Sequence, residues 1–279
     1  MFSKISLDGG IALVTGAASG IGKETAFAFA EAGVTGVVFA DANEQGAQDA
    51  AEKSILCAKN PNYRPIALKV DIASEDSVQA MVNTTVKEFG RIDYSVNSAG
   101  IGNISPALAP NIDVDVFCKT MEINIKGTML CVRAVTKVMS SQEPVTYTSS
   151  RHGERSIGRG SIVNLASINS FIAPPGMAPY VASKHAVMGI TKSAAMDCMK
   201  HHIRVNAVCP AFTDTNMMQA SFQRVPGLET IVNTATPLRR PAVTEEVADY
   251  IIFLCSPSAS YINGTGLVID SGITLTAHL

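Results

Sequence analysis

Charge is scarce in this chain: Asp, Glu, Lys and Arg make up 16% of its 279 residues, and the formal net charge is −2. Neither sign gathers into a run, so the clustered lysine and arginine of a nucleic-acid surface are missing. Arg239-Arg240 and the scattered Arg151, Arg155 and Arg159 read as solvated loop charge. The six cysteines (Cys57, Cys118, Cys131, Cys198, Cys209, Cys255) form no Cys-x-x-Cys pair and show no metal-ligand spacing with the five histidines. They read as reduced core thiols, several within apolar runs, in an intracellular protein; no metal site is expected. No window offers the ~18 or more apolar residues of a membrane span. The opening Met-Phe-Ser-Lys-Ile lacks the apolar stretch of a secretory signal. A cytoplasmic protein with no membrane or nucleic-acid partner is therefore expected. The final Ala277-His278-Leu279 loosely resembles a relaxed peroxisomal tripeptide. Repeats and linker-like composition are also absent, which predicts a single domain over 1–279.

What is present is apolar material, 47% of the chain, arranged as alternating strand-like and helix-like segments. Ile11–Thr15, Val37–Ala40, Pro65–Val70, Ile92–Val96, Ser161–Ala166, Ile203–Val208 and Leu267–Asp270 read as seven strands. Helical patterns run through Ala26, Phe29 and Ala30, from Asn43 to Lys59, after the N-cap Ser74, from about Asp113 to Met139, and from near Tyr180. Such alternation predicts a doubly wound seven-stranded parallel sheet with helices on both faces, an α/β fold. Two irregular stretches stand out, Ser140–Arg159 and Phe212–Pro241.

Between the first strand and its helix lies Thr15-Gly16-Ala-Ala-Ser19-Gly20-Ile21-Gly22. Glycines there allow a tight turn and close approach to a pyrophosphate, and the helix N-terminus offers free N–H groups. The position predicts dinucleotide binding on a Rossmann-type fold. Asp41, nineteen residues after Gly22, ends the second strand, where a carboxylate accepts from both adenine-ribose hydroxyls and repels a 2′-phosphate. No Arg or Lys at Ala17, Ala18, Ser19 or directly after Asp41 offsets that repulsion, so NAD is expected over NADP. A solvent-exposed strand-end acid is the plain alternative. Asp71-Ile72 is placed to meet the adenine edge, and Asn97-Ser98-Ala99-Gly100 sets small residues beside the cofactor.

Tyr180-Val-Ala-Ser-Lys184 spaces a phenol and an ammonium one helical turn apart on the same face. A nearby cation favours the phenolate of a group whose pKa is ordinarily about 10. Alone, the pair reads equally as a surface pair on an amphipathic helix. Ser167, thirteen residues earlier, changes that balance: the intervening loop, with Pro174, Pro175 and Pro179, can return its hydroxyl to the phenol.

These elements together resemble the short-chain dehydrogenase/reductase family, in its single-domain branch of roughly 250-residue subunits. The matching residues are Thr15-Gly16-x-x-x-Gly20-x-Gly22, Asp71, Asn97-Ser-Ala-Gly100, Asn124, Ser167, Tyr180-x-x-x-Lys184, Asn206-Ala-Val-Cys-Pro210, Gly264 and Val268-Ile-Asp270-Ser-Gly272. The resemblance implies that Tyr180 is the acid/base and that Ser167 positions substrate. It implies that Lys184 binds the nicotinamide ribose and tunes Tyr180, and that Asn124 holds a water linking Lys184 to solvent. By itself, an Asn within Met121–Gly127 reads as a helix kink or cap. Pro210, Thr213 and Thr215 would meet the nicotinamide carboxamide, and 212–241 would form a substrate lid. Homodimers or homotetramers are implied by the same resemblance.

Three departures stand out. Ser98 replaces the family's second Asn, Ala211 replaces the Gly after Pro210, and Asn124 and Ser167 lie 43 residues apart, more than is usual. The excess predicts an exposed loop insertion at 141–160. In the lid, Met217, Met218, Phe222, Val225, Leu228, Ile231 and Val232 either contact an apolar or ring-bearing substrate or merely pack short helices onto the domain. The expected activity is hydride transfer between NAD and a secondary alcohol or ketone, in the direction of oxidation. The alternatives are an NADPH-dependent ketoreductase, a non-redox isomerase or cyclase, and an NAD-sensing protein of the same fold.

Overall fold

The computed structural model describes residues 6–151 and 153–276; Ala277-His278-Leu279 lies outside them. Seven parallel strands form the central sheet: β1 (Ile11–Thr15), β2 (Gly36–Asp41), β3 (Arg64–Lys69), β4 (Tyr94–Asn97), β7 (Gly160–Leu165), β8 (Ile203–Pro210) and β9 (Gly266–Ile269). Their order is β3-β2-β1-β4-β7-β8-β9. The chain winds outward from β1 through β3, then returns to place β4 on the other side of β1. That reversal opens a crevice at the carboxyl ends of β1 and β4, the place where open α/β sheets bind ligands.

Side-chain alternation along the strands divides the core into two layers. In β1, Val14 packs with Ala26 and Phe29 of α1 (Gly20–Glu31) and with Val247, Ile251 and Leu254 of α9 (Thr244–Cys255). Its neighbour Leu13 packs on the opposite face, with Val78 and Val82 of α3 (Glu75–Phe89) and Val135 and Met139 of α5 (Thr128–Met139). Ala195 of α6 (Ala178–Asp197) joins that second layer. No helix among the described residues is long and apolar enough to cross a membrane.

Four sequence expectations are corrected. The helix expected from Asn43 to Lys59 is α2 (Glu44–Ser54), capped by Asn43 and followed by a single 3₁₀ turn at Ile55–Cys57. Asn60-Pro61 bars the helix only at Asn60 itself; the earlier stop falls where Ile55 and Leu56 stand in solvent, so no apolar burial holds a further turn. The long helix is split into α4 (Val114–Met121) and α5 by a π segment at Glu122–Gly127, in which Asn124 sits. Cys118 is exposed rather than part of the core. Finally, the irregular stretch before β7 holds an antiparallel hairpin, β5 (Val145–Ser149) with β6 (Gly153–Gly158). Both of its faces are largely exposed, so no apolar alternation marked it as strand.

The root of this hairpin is stitched to the sheet rather than left in solvent. The Gln142 carboxamide accepts from Ile92 N (2.7 Å) and donates to Ile92 O (2.9 Å) and Arg159 O (3.0 Å). Half-buried Arg159 donates to Gln142 O (2.7 Å) and His201 O (3.2 Å), so it is not a solvated charge. Removing Gln142 leaves both polar groups of the Ile92 peptide without their partner. Gln142→Ala should therefore lose about 1–3 kcal/mol of unfolding free energy; a urea midpoint equal to wild type would contradict this clamp.

Candidate active site

The glycine turn after β1 is packed backbone against backbone. Gly16 has φ +72 and Gly20 has φ +54, a region L side chains avoid. A Cβ on Gly16 would stand 2.7 Å from the Ala99 nitrogen, and one on Gly22 only 2.2 Å from the Gly16 carbonyl oxygen. Buried Thr15 accepts from Ala99 N at 3.3 Å, tying this turn to the loop after β4. Side chains cap α2, α3 and α4, but exposed Ser19 leaves the start of α1 uncapped. The first-turn N–H groups at Gly20, Ile21 and Gly22 have no intrahelical acceptor. A turn this small, uncapped and at the positive end of a helix dipole fits a pyrophosphate.

Asp41 is braced against the same turn. Its Oδ2 accepts from Ala18 N (3.0 Å) and its Oδ1 from Asn43 N (2.9 Å). Each carboxylate oxygen keeps a lone pair for a further donor. Asp71 stays exposed, with Oδ1 accepting from Ala73 N (2.9 Å). Ile72 turns inward instead, against Gly127 of the π segment, leaving its backbone rather than its side chain to a ligand.

Asn97 is buried at the end of β4 and donates to Asn164 Oδ1 (2.8 Å). Asn164 in turn donates to Thr191 Oγ1 (2.9 Å), which bonds Val187 O (2.8 Å). This chain of bonds braces β4, β7 and α6 together. Gly100 lets the loop close on Asn124, whose Oδ1 lies 3.0 Å from where a Cβ would stand. The Asn124 amide holds both sides of Ile101, accepting from its N (2.9 Å) and donating to its O (2.9 Å), and also donates to Ser183 Oγ (3.0 Å). Its amide hydrogens are thus already committed, and any water it holds must meet another of its atoms.

Past β8, Pro210 leads into an arch over the glycine turn. Thr213 is buried and pairs with Ala242 as an isolated parallel bridge. Thr215 caps α7 (Asn216–Arg224) by accepting from Met218 N (3.2 Å), and its methyl group faces Gly20. Of the apolar residues beyond it, Val232 in α8 (Leu228–Ala235) is fully buried, while Met217 and Ile231 are exposed. Packing onto the domain therefore accounts for Val232 and not for Met217 or Ile231.

Ser167, Tyr180 and Lys184 come together at the carboxyl edge of β7. Ser167 is buried, accepts from Asn169 N (3.2 Å), donates to Pro210 O at a long 3.5 Å and stands near enough to the Tyr180 phenol to lower its pKa. Lys184 Nζ stands 5.5 Å from the Tyr180 ring centroid and donates to Leu165 O at 2.7 Å. Burial pulls Lys184 down to about 8, since the charged amine loses its hydration. Burial also raises the Tyr180 phenol, and nearby Ser167 offsets only part of that rise.

Three contributors were missed in the sequence: the Leu165 carbonyl, Ser183 and Ser170, whose hydroxyl bonds Lys184 O at 2.8 Å. Backbone acceptors and structural serines carry no spacing signal.

A family model described as Enoyl-(Acyl carrier protein) reductase matches residues 16–274. A short-chain dehydrogenase of Penicillium roqueforti is 46% identical over 95% of this chain and 96% of its own length. Levodione reductase superposes with a TM-score of 0.85 at 28% identity, covering 96% of this chain and 98% of its own. A 7α-hydroxysteroid dehydrogenase complexed with NADH and 7-oxo glycochenodeoxycholic acid superposes at 0.84 and 28% identity, covering 98% of each chain. The chain belongs to the short-chain dehydrogenase/reductase family, oxidoreductases that use nicotinamide cofactors on small-molecule substrates.

Lys184 has a folded-state pKa below its unfolded value. Its burial cost is therefore present in full below pH 8 and is relieved as pH rises from about 8 toward 10.5. The stability of Lys184→Met relative to wild type should then be greatest near pH 7 and decline across that window. Thermal melts at stepped pH read this slope, and a flat or rising difference would contradict it.

Proposed function

We propose that this enzyme interconverts a secondary alcohol and its ketone with NAD, acting physiologically as a dehydrogenase. The observation that carries this reading is the gathering of Ser167, Tyr180 and Lys184, with Lys184 Nζ 5.5 Å from the phenol ring, at the sheet edge that also holds the glycine turn. Bound nicotinamide supplies the hydride acceptor. Ser167 donates its hydroxyl hydrogen to the substrate oxygen and fixes it near Tyr180. Tyr180, as phenolate, would take the proton of the alcohol oxygen that Ser167 holds. Lys184 has three N–H donors, so it can keep Leu165 O and still reach the nicotinamide ribose; its charge makes the phenolate tolerable. Asn124 contributes by holding the Ile101 loop and Ser183 in place, with a water between it and Lys184 completing the path to solvent.

Asp41 supports NAD over NADP. Its carboxylate is fixed beside Ala18 N, where a 2′-phosphate would meet a like charge, and Ala17, Ala18, Ser19 and Ala42 offer no cation in return. An apolar or ring-bearing substrate is supported by Met217, which packs on Gly102 from the lid, and by the ring ketone named in the steroid-dehydrogenase complex. Exposed Val114, Met129 and Met196 on α4, α5 and α6 support pairing of subunits through those helices; light scattering tests it. Six unpaired cysteines support residence in the reducing cytoplasm.

The test is NADH fluorescence on mixing enzyme, NAD and a panel of secondary alcohols. Tyr180→Phe should lower turnover by about 10²–10⁴-fold while NAD still binds; turnover near wild type in that variant would remove the assigned roles. Asp41→Ala should narrow the preference for NAD over NADP by about tenfold, or ~1.4 kcal/mol. An unchanged cofactor ratio would discard the Asp41 argument.

A further inference from the structure

Beside Ser167 lies a buried carboxamide that the protein leaves poorly paired. Asn169 is only 8% exposed. Its backbone N–H donates to Ser167 Oγ, so the residue belongs to the turn that presents the catalytic hydroxyl. Its Nδ2 meets only the Met177 thioether, at 4.0 Å, a weak acceptor at long range. Among the described residues no donor reaches its Oδ1. Asn124, Asn164 and Asn206 are buried as deeply, yet each has both ends of its amide paired with protein groups, while Asn97 Oδ1 lacks a partner but is closed off within the fold. The next side chain in the turn, Ser170, is also fully used, on Lys184 O. The Asn169 carbonyl oxygen is not closed off from solvent, so it stays open to a donor brought by a ligand.

Position gives the amide a use. Met177 precedes Tyr180 by three residues and caps α6. The Asn169 carboxamide therefore lies between the Ser167 turn and the head of the helix that carries the phenol, where the substrate carbon would be held. We infer that Asn169 is a specificity-determining residue that hydrogen-bonds a second oxygen of the substrate. The substrate class is accordingly a hydroxy-ketone or its diol, with an apolar body and an extra hydroxyl close to the reacting carbon. This inference rests on the redox reading above and narrows it. The amide offers both a donor and an acceptor, so a hydroxyl suits it better than a lone carbonyl.

The experiment compares cyclohexanone with 3-hydroxycyclohexanone, each with NADH, in wild type and in Asn169→Leu. Wild type should favour the hydroxylated ketone in kcat/KM by about tenfold or more, and Asn169→Leu should bring the ratio close to one. Asn169→Ser, which keeps a hydroxyl, should recover part of the preference. The same pair is compared by thermal shift on the NADH-loaded proteins, so the subsite is read even without turnover. Absence of turnover with either ketone counts against the redox reading. Equal shifts from both ketones in wild type, or a preference that survives in Asn169→Leu, overturns the role of Asn169. The ligand-free melting temperature of Asn169→Leu should stay close to wild type; a clear fall with the preference intact would make the amide structural and overturn the inference.

Discussion

A single buried hydrogen bond, from the Lys184 ammonium to the Leu165 carbonyl at 2.7 Å, joins the architecture of this protein to its chemistry. It fastens α6 to the carboxyl end of β7, and the helical repeat then brings Tyr180, one turn earlier, against Ser167. The bond also holds a positive charge where hydration is lost, which pulls Lys184 down to about 8. Such a group is expensive for the folded state and useful to a reaction that must stabilise a phenolate. Around it, Ser170, Ser183 and the Asn97-Asn164-Thr191 chain secure the backbone from three sides.

The remaining parts converge on the same sheet edge because a parallel sheet sends every strand's end in one direction. The glycine turn after β1, Asp41 after β2, the Ile101 loop after β4 and the Thr213–Thr215 arch after β8 meet there. They are linked by contacts between distant residues: Thr15 with Ala99, Asp41 with Ala18, Asn124 with Ile101, and Thr215 with Gly20. The π segment has a place in this arrangement. A widened turn is a common mark of functional sites in helices, and here it carries the asparagine that holds the Ile101 loop. The β5–β6 hairpin lies at the other end of the sheet, entering β7 from its amino side. With Asp93, Tyr94 and Arg204 it borders a small recess remote from the candidate catalytic groups.

Much of this arrangement was legible in the amino-acid order, for reasons tied to particular residues. A strand ending in Thr15-Gly16 and a helix opening at Gly20 announce a tight turn, since few other residues adopt the backbone found there. Tyr180 and Lys184 share a face by helical spacing alone. Buried strands read as apolar runs, so all seven were found, with ends displaced by a residue or two. The hairpin was not found because exposed strands such as Val145–Ser149 carry no burial signal. The end of α2 was misplaced because a favourable composition continued past Ser54, and composition does not show that Ile55 and Leu56 are left in solvent.

Local chemistry along the chain therefore determined the fold class, the tight glycine turn after β1 and the shared helix face of Tyr180 and Lys184, because each depends on spacing within one or two elements. Only the tertiary structure decided which polar groups are spent and which remain available. Asn124 turns out to be committed to Ile101 and Ser183, Ile72 to the core, and Asn169 to almost nothing. The reason is physical: the state of a buried amide or amine depends on partners tens of residues away and on how much water packing excludes, and neither is encoded in its neighbours along the chain.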